Sequence, residues 1–203
     1  MVILDKQKLV WVSIPKSGTH TMIVILVDQF GGTRINPPFH PRNIPPRCSG
    51  YKTFAVVRNP YERAISIWYH LLYRTAQPDS SIKAYGETWG PIISQSAEVE
   101  IDDLTIEHVF RFIVDGGCKK YRESGWQASL SQSEWLKNVK IDNWIKIENL
   151  EAEMNDILGL EITPIRKQFK GEYKHPKLTA EGRGLIEEWA SEDFNRFGYE
   201  KLT

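Results

Sequence analysis

The chain has 203 residues, of which 41% are hydrophobic and 26% charged, and its 26 basic side chains balance its 26 acidic ones. This composition belongs to a globular protein and excludes a disordered chain or a general polyanion binder. Two cysteines, Cys48 and Cys118, are too few for a disulfide scaffold or a zinc site, and no apolar run approaches the length of a membrane span. The first residues lack the apolar stretch of a signal peptide, so a cytoplasmic location is expected if Met1 is the native start.

In chain order, Leu9 to Ile14 is a short apolar run that suits a buried central strand. A Lys-Ser-Gly turn follows, and Thr19 to Phe30 reads as a helix stopped by Gly31 and Gly32. Residues 33–50 hold five prolines and read as loop. Lys52 to Val57 is a second buried strand, and Asn59-Pro60 opens a helix running to about Arg74. Residues 75–104 are irregular in pattern and are expected to form a lid or acceptor-binding segment. Thr105 to Asp115 is helical, Asp142 to Ile147 alternates as a strand, and Glu148 to Leu158 is a helix closed by Gly159. Thr179 caps a last helix reaching about Phe194. Strands alternating with helices predict one α/β domain over 1–203, P-loop-like, with a central parallel sheet flanked by helices.

The segment Pro15-Lys16-Ser17-Gly18-Thr19-His20-Thr21 links the first of these strands to a helix. A helix start offers unpaired N–H groups and a positive dipole end, and a glycine lets an anion approach the backbone. Thr19 and Thr21 add hydroxyls and Lys16 a mobile charge. The nucleoside triphosphate loop G-x-x-x-x-G-K-[ST] puts its lysine after a second glycine. Here Lys16 precedes the only glycine, so that motif is absent. Pro15-Lys16-Ser17-Gly18-Thr19 instead resembles the 5′-phosphosulfate loop of sulfotransferases that use 3′-phosphoadenosine 5′-phosphosulfate (PAPS). The resemblance implies that Lys16, Ser17, Gly18, Thr19, His20 and Thr21 hold that end of the donor. His20 stands where a hydroxyl residue is frequent.

The second signal is Arg58-Asn59-Pro60-Tyr61-Glu62-Arg63-Ala64-Ile65-Ser66 at the end of the second buried strand. A strand-end arginine can grip a phosphate through two parallel hydrogen bonds. This stretch resembles the 3′-phosphate motif of the same enzymes, and by that resemblance Arg58 and Ser66 hold the donor's 3′-phosphate. ATP has no 3′-phosphate, so the pair of motifs argues against the runner-up, a P-loop kinase. Retention of Lys16, Arg58 and Ser66 together argues against a non-catalytic nucleotide-binding module.

Further resemblances are weaker. Asp142 to Leu150 looks like the strand-E-[ND]-L segment of carbohydrate-type and bacterial sulfotransferases, and Asp193 to Tyr199 like their D-F-x-x-F-G-Y ending, whose aromatics read as core. Arg166 and Lys167 partly match a loop that covers the donor in cytosolic members. The reaction also needs a base and charge relief on the leaving phosphate. Lys16 fits the second task. Of the five histidines, His40 lies in the loop where several carbohydrate sulfotransferases carry a catalytic histidine, and it is the candidate base. His20 and the carboxylates between Glu98 and Glu107 are the alternatives, while His70 and His108 read as structural. The implied donor is PAPS, the product 3′,5′-adenosine bisphosphate, and the acceptor a hydroxyl, with a saccharide or glycan weakly favoured. No motif calls for a metal, a nucleic acid or a membrane span.

Overall fold

The computed structural model describes residues 1–35, 40–75, 83–120, 126–163 and 176–202. Its contacts fall into two compact units, one made of 1–59 and 132–171 and the other of 60–131 and 172–203.

The first unit contains a five-stranded sheet in the order β3-β1-β2-β4-β5, where β1 is Val2–Leu4, β2 Leu9–Val12, β3 Thr33–Arg34, β4 Lys52–Val57 and β5 Asn143–Lys146. The strands β2, β4 and β5 run parallel, in registers from Leu9↔Lys52 to Val12↔Ala55 and from Phe54↔Asn143 to Val57↔Lys146. Every residue of β2 and all but Lys52 of β4 are buried, which is why both read as unbroken apolar runs. The strand β1 lies antiparallel to β2 and β3, so the parallel sheet carries an antiparallel margin. Sequence patterning misses β1 because three residues show no period. Its turn to β2 also uses Lys8 at φ 56° rather than a glycine or asparagine.

The expected helix at Thr19 is α1, Thr19–Val24, which continues as a π-helical turn over Ile25–Gln29. Met22, Ile25 and Leu26 pack with Trp11, Phe54, Val56, Ile145 and Met154 in one buried cluster. The helix α7, Leu150–Leu158, ends at Gly159 with φ 65°, as expected; a 3-10 turn at Ile147–Asn149 precedes it. The α/β fold with a sheet flanked by helices is the one the sequence predicts.

The second unit is helical. It holds α2 (Pro60–Thr75), α3 (Lys83–Ala97), α4 (Ile106–Val114), α5 (Gly117–Lys120), α8 (Ala180–Trp189) and α9 (Ser191–Phe197); the short α6, Gln132–Trp135, belongs to the first unit. Pro60 opens α2 as expected. The helix α3 corrects the reading of 75–104 as irregular. Gly86, Gly90 and Pro91 argue locally against a helix, but Trp89 and Ile93, one turn apart, are fully buried and Trp89 stacks on Trp126 at 5.2 Å. Packing outweighs propensity here.

The last expected helix is two, α8 and α9, broken at Ala190 (φ −109°, ψ 23°). Thr179 caps α8 by accepting from the Gly182 N–H at 3.0 Å. Phe194 and Phe197 are buried, and Phe194 meets Tyr61 edge-on at 5.2 Å, so the C-terminal aromatics are core as read. Arg63 is fully buried with its guanidinium 5.1 Å from the Trp189 ring centre. Both cysteines are free thiols. Burial pushes the Cys118 thiol up to about 11 against the lowering effect of a hydrogen bond with Ser129, so it stays protonated at neutral pH.

Candidate active site

In open α/β sheets, ligands bind beyond the carboxyl ends of the parallel strands. That edge of β2 leads into Ser13 to Gly18, that edge of β4 into Arg58, and that edge of β5 into Glu148.

The loop after β2 is sharply bent. Lys16 and Gly18 both take left-handed backbone angles, φ 67° and 80°, with Ser17 between them. Such alternation turns neighbouring N–H groups toward a common side and suits an anion. Lysine at positive φ is costly, on the order of 1–3 kcal/mol, and the surrounding bonds hold it there. A Cβ on Gly18 would run into the Ile147 side chain. Gly18→Ala should therefore lower stability by at least about 1–2 kcal/mol, the cost of an L-residue in the left-handed region. Denaturant unfolding measures it, and an unchanged midpoint would show that the turn tolerates a side chain.

The hydroxyls of this loop point inward. Ser17 Oγ donates to Gln132 Oε1 at 3.0 Å, and Thr19 Oγ1 donates to the Ile14 carbonyl at 3.3 Å. Both residues are buried, Thr21 is half-buried and His20 exposed. These two hydroxyls, expected to serve an anion, brace the loop in the structure, while Thr21 and Lys16 are half-buried.

Gln132 is the residue that sequence reasoning missed. It is fully buried on α6. Its Oε1 accepts from Ser17 Oγ and from the Arg58 N–H at 2.9 Å, and its Nε2 donates to the Arg58 carbonyl at 2.9 Å. One side-chain amide thus pairs with the Arg58 backbone as a neighbouring strand would, and braces the Lys16 loop with the same oxygen. No spacing in Ser131-Gln132-Ser133 announces this. Glu148 accepts the Asn59 N–H at 2.7 Å and so also anchors the segment after β4.

His40 is half-buried, with Nδ1 2.8 Å from Ser13 Oγ and its ring edge-on to Trp135 at 6.1 Å. Trp135 donates from Nε1 to the Ser13 carbonyl at 3.1 Å, and the Arg42 guanidinium lies over its ring at 4.8 Å. His40 is therefore tied to the strand end that leads into the Lys16 loop. His108 is structural, as read: it closes a capping box with Thr105 at the start of α4. Burial raises the pKa of Glu107, but hydrogen bonds, from Thr179 above all, outweigh it and hold the carboxyl below its usual range. That makes Glu107 a weak base. Ser66 is half-buried on α2, in the second unit. Arg166, Lys167 and His175 lie outside the described residues.

Among the described residues no group of three His, Cys, Asp or Glu side chains is placed to hold a metal ion, and no helix is long and apolar enough to cross a membrane. No curated protein and no solved structure matches the chain. The model of the sulfotransferase family matches residues 1–200, running through both units. The chain, with its bent strand-to-helix loop at Lys16 and its strand-end arginine, belongs to the sulfotransferase family, enzymes that transfer a sulfuryl group.

Proposed function

We propose that the protein transfers the sulfuryl group of PAPS to an acceptor hydroxyl by in-line displacement. The observation that carries this reading is the Gln132 amide, which holds the Lys16 loop and the Arg58 backbone on one buried side chain. A donor with charge at both its 5′ and 3′ positions needs two anion-binding elements at a fixed separation, and this bridge supplies the fixing. The backbone from Lys16 to Thr21 would hold the 5′-phosphosulfate and Arg58 the 3′-phosphate. The sequence motif adds Ser66 to the second task, and the weaker resemblance adds Arg166 and Lys167.

His40 takes the proton of the acceptor hydroxyl as its oxygen bonds to sulfur. Lys16 neutralises the negative charge that collects on the departing phosphate oxygen as the old S–O bond breaks. The product nucleotide is 3′,5′-adenosine bisphosphate. A saccharide or glycan hydroxyl is the favoured acceptor, on the likeness of the segments around Glu148 and Phe194 to carbohydrate-type enzymes, and residues 75–104 are the segment assigned to its binding.

Calorimetry tests the donor. The bisphosphate should bind and ATP should bind much less well. Arg58→Ala should weaken bisphosphate binding about ten- to a hundredfold, the worth of a charged hydrogen-bonded contact, with the circular dichroism unchanged. Equal affinities for ATP and the bisphosphate would overturn the donor assignment and favour a phosphotransferase.

A further inference from the structure

We infer that Gln132 sets the specificity of the nucleotide site: by fixing Arg58 against the Lys16 loop it selects a 3′-phosphate over a 2′-phosphate, a role that rests on PAPS being the donor. The amide has one possible orientation. The Arg58 N–H can only donate and the Arg58 carbonyl can only accept. Oε1 must therefore face the first, at 2.9 Å, and Nε2 the second, also at 2.9 Å. A flipped amide would set donor against donor and acceptor against acceptor. Ser17 Oγ lies 3.0 Å from the same Oε1 and is the donor in that contact. Gln132 is 0% exposed and Ser17 1% exposed, so water does not readily replace these bonds.

A second link joins the same two segments. Asn59, next to Arg58, donates its N–H to Glu148 Oε1 at 2.7 Å. Glu148 follows Ile147, and the Ile147 side chain lies against Gly18, next to Ser17. The contacts close a ring from Ser17 through Gln132 to Arg58, on to Asn59 and Glu148, and back through Ile147 to Gly18. The ring ties together the segments that leave β2, β4 and β5. The Lys16 loop has bonds of its own: the Ser17 N–H donates to the Ile14 carbonyl at 3.3 Å and the Met22 N–H to the Gly18 carbonyl at 3.0 Å. What the amide adds is the position of Arg58 relative to that loop. The 2′ and 3′ oxygens sit on adjacent ribose carbons. With the 5′ end seated in the loop, moving the phosphate from one to the other displaces it by a few ångströms. A charged contact tells the two apart when it is held to within about 0.5 Å. Gln132 acts through Arg58 and is a positioning residue in this role.

Calorimetry on the intact protein with adenosine 5′-phosphate, the 3′,5′-bisphosphate and its 2′,5′ isomer reads this role. Wild type should bind the 3′,5′-bisphosphate about ten- to a hundredfold more tightly than the isomer, the worth of a charged hydrogen-bonded contact. Gln132→Leu, which removes the bonds and keeps a side chain of similar size, should bind the two isomers almost equally. It should keep nearly all its affinity for the 5′-monophosphate, which asks nothing of Arg58. Ser17→Ala breaks only the link to the loop and should lower the preference part of the way. If Gln132→Leu fails to fold, Ser17→Ala decides alone. A wild type without the preference overturns the inference, as does a folded variant that keeps it in full. So does an equal loss of affinity for all three ligands, the mark of a merely structural amide. Failure of the donor reading is seen separately, in the wild type alone, as no gain of the 3′,5′-bisphosphate over the 5′-monophosphate, and it overturns this inference as well.

Discussion

Replacing His40 with alanine is expected to lower turnover by about 10²- to 10⁴-fold, the range for loss of a general base, while 3′,5′-adenosine bisphosphate binds almost as tightly as to wild type. The imidazole meets Ser13 Oγ at 2.8 Å, on the β2 side of the bend. Removing it leaves the Lys16 turn, the Gln132 amide and the Arg58 segment in place. The cost should therefore fall on kcat, where a proton must leave the attacking hydroxyl, and not on the affinity for the nucleotide. A neutral base also imposes a limb on the pH–rate profile: activity rises as the imidazole loses its proton. In His40→Ala that limb should vanish. Near-normal turnover in a folded variant would give the base role to another group, with His20 the next to test.

Lys16→Ala should lower kcat by about 10²- to 10³-fold, as for removal of one donor that stabilises transition-state charge, and weaken the bisphosphate by much less. The backbone argument supports this split. The chain holds a lysine at φ 67°, where glycine would sit without strain, and energy stored this way persists when the side chain is needed for something other than folding. The charge matters most when the S–O bond is breaking, because only then does the bridging oxygen carry its full negative charge. The matching stability measurement is informative: Lys16→Gly should unfold at a higher denaturant concentration than wild type while losing turnover. A variant that loses nucleotide affinity and kcat in equal proportion would place Lys16 in ground-state binding alone.

The parallel strands β2 and β4 were legible because they are buried and read as unbroken apolar runs, and β5 because its residues alternate; Lys52–Val57 is a strand to the residue. Helix ends with a chemical marker were legible too: Pro60 opens α2, Thr105 and Thr179 cap α4 and α8, and Gly159 closes α7. The helix α3 was not, since Gly86, Gly90 and Pro91 speak locally for a loop and only the burial of Trp89 and Ile93 decides otherwise. At the proposed site, the segments that carry Lys16 and Arg58 stand out in the sequence because each is a contiguous motif at a strand end. The inward turn of the Ser17 and Thr19 hydroxyls does not, because their partners, Gln132 and the Ile14 carbonyl, are set by tertiary packing. Gln132 itself carries no spacing signal: what marks it is that an amide offers a separate donor and acceptor side by side, as a peptide unit does.

The Gln132 bridge also has a consequence for the order in which the molecule is built. Ser17 and Gln132 are 115 positions apart, Ser13 and Trp135 are 122 apart, and Arg58 and Gln132 are 74 apart. Contacts this distant pay loop-closure entropy before they return anything, so they form late. A nascent chain that has left the ribosome as far as Arg58 already carries the Lys16 loop and that arginine, yet lacks the amide that sets their spacing. Competence to hold a nucleotide should then arrive as one late step rather than accumulate strand by strand. Ligand added during refolding would leave the early phases unchanged and stabilise only the finished state, by mass action.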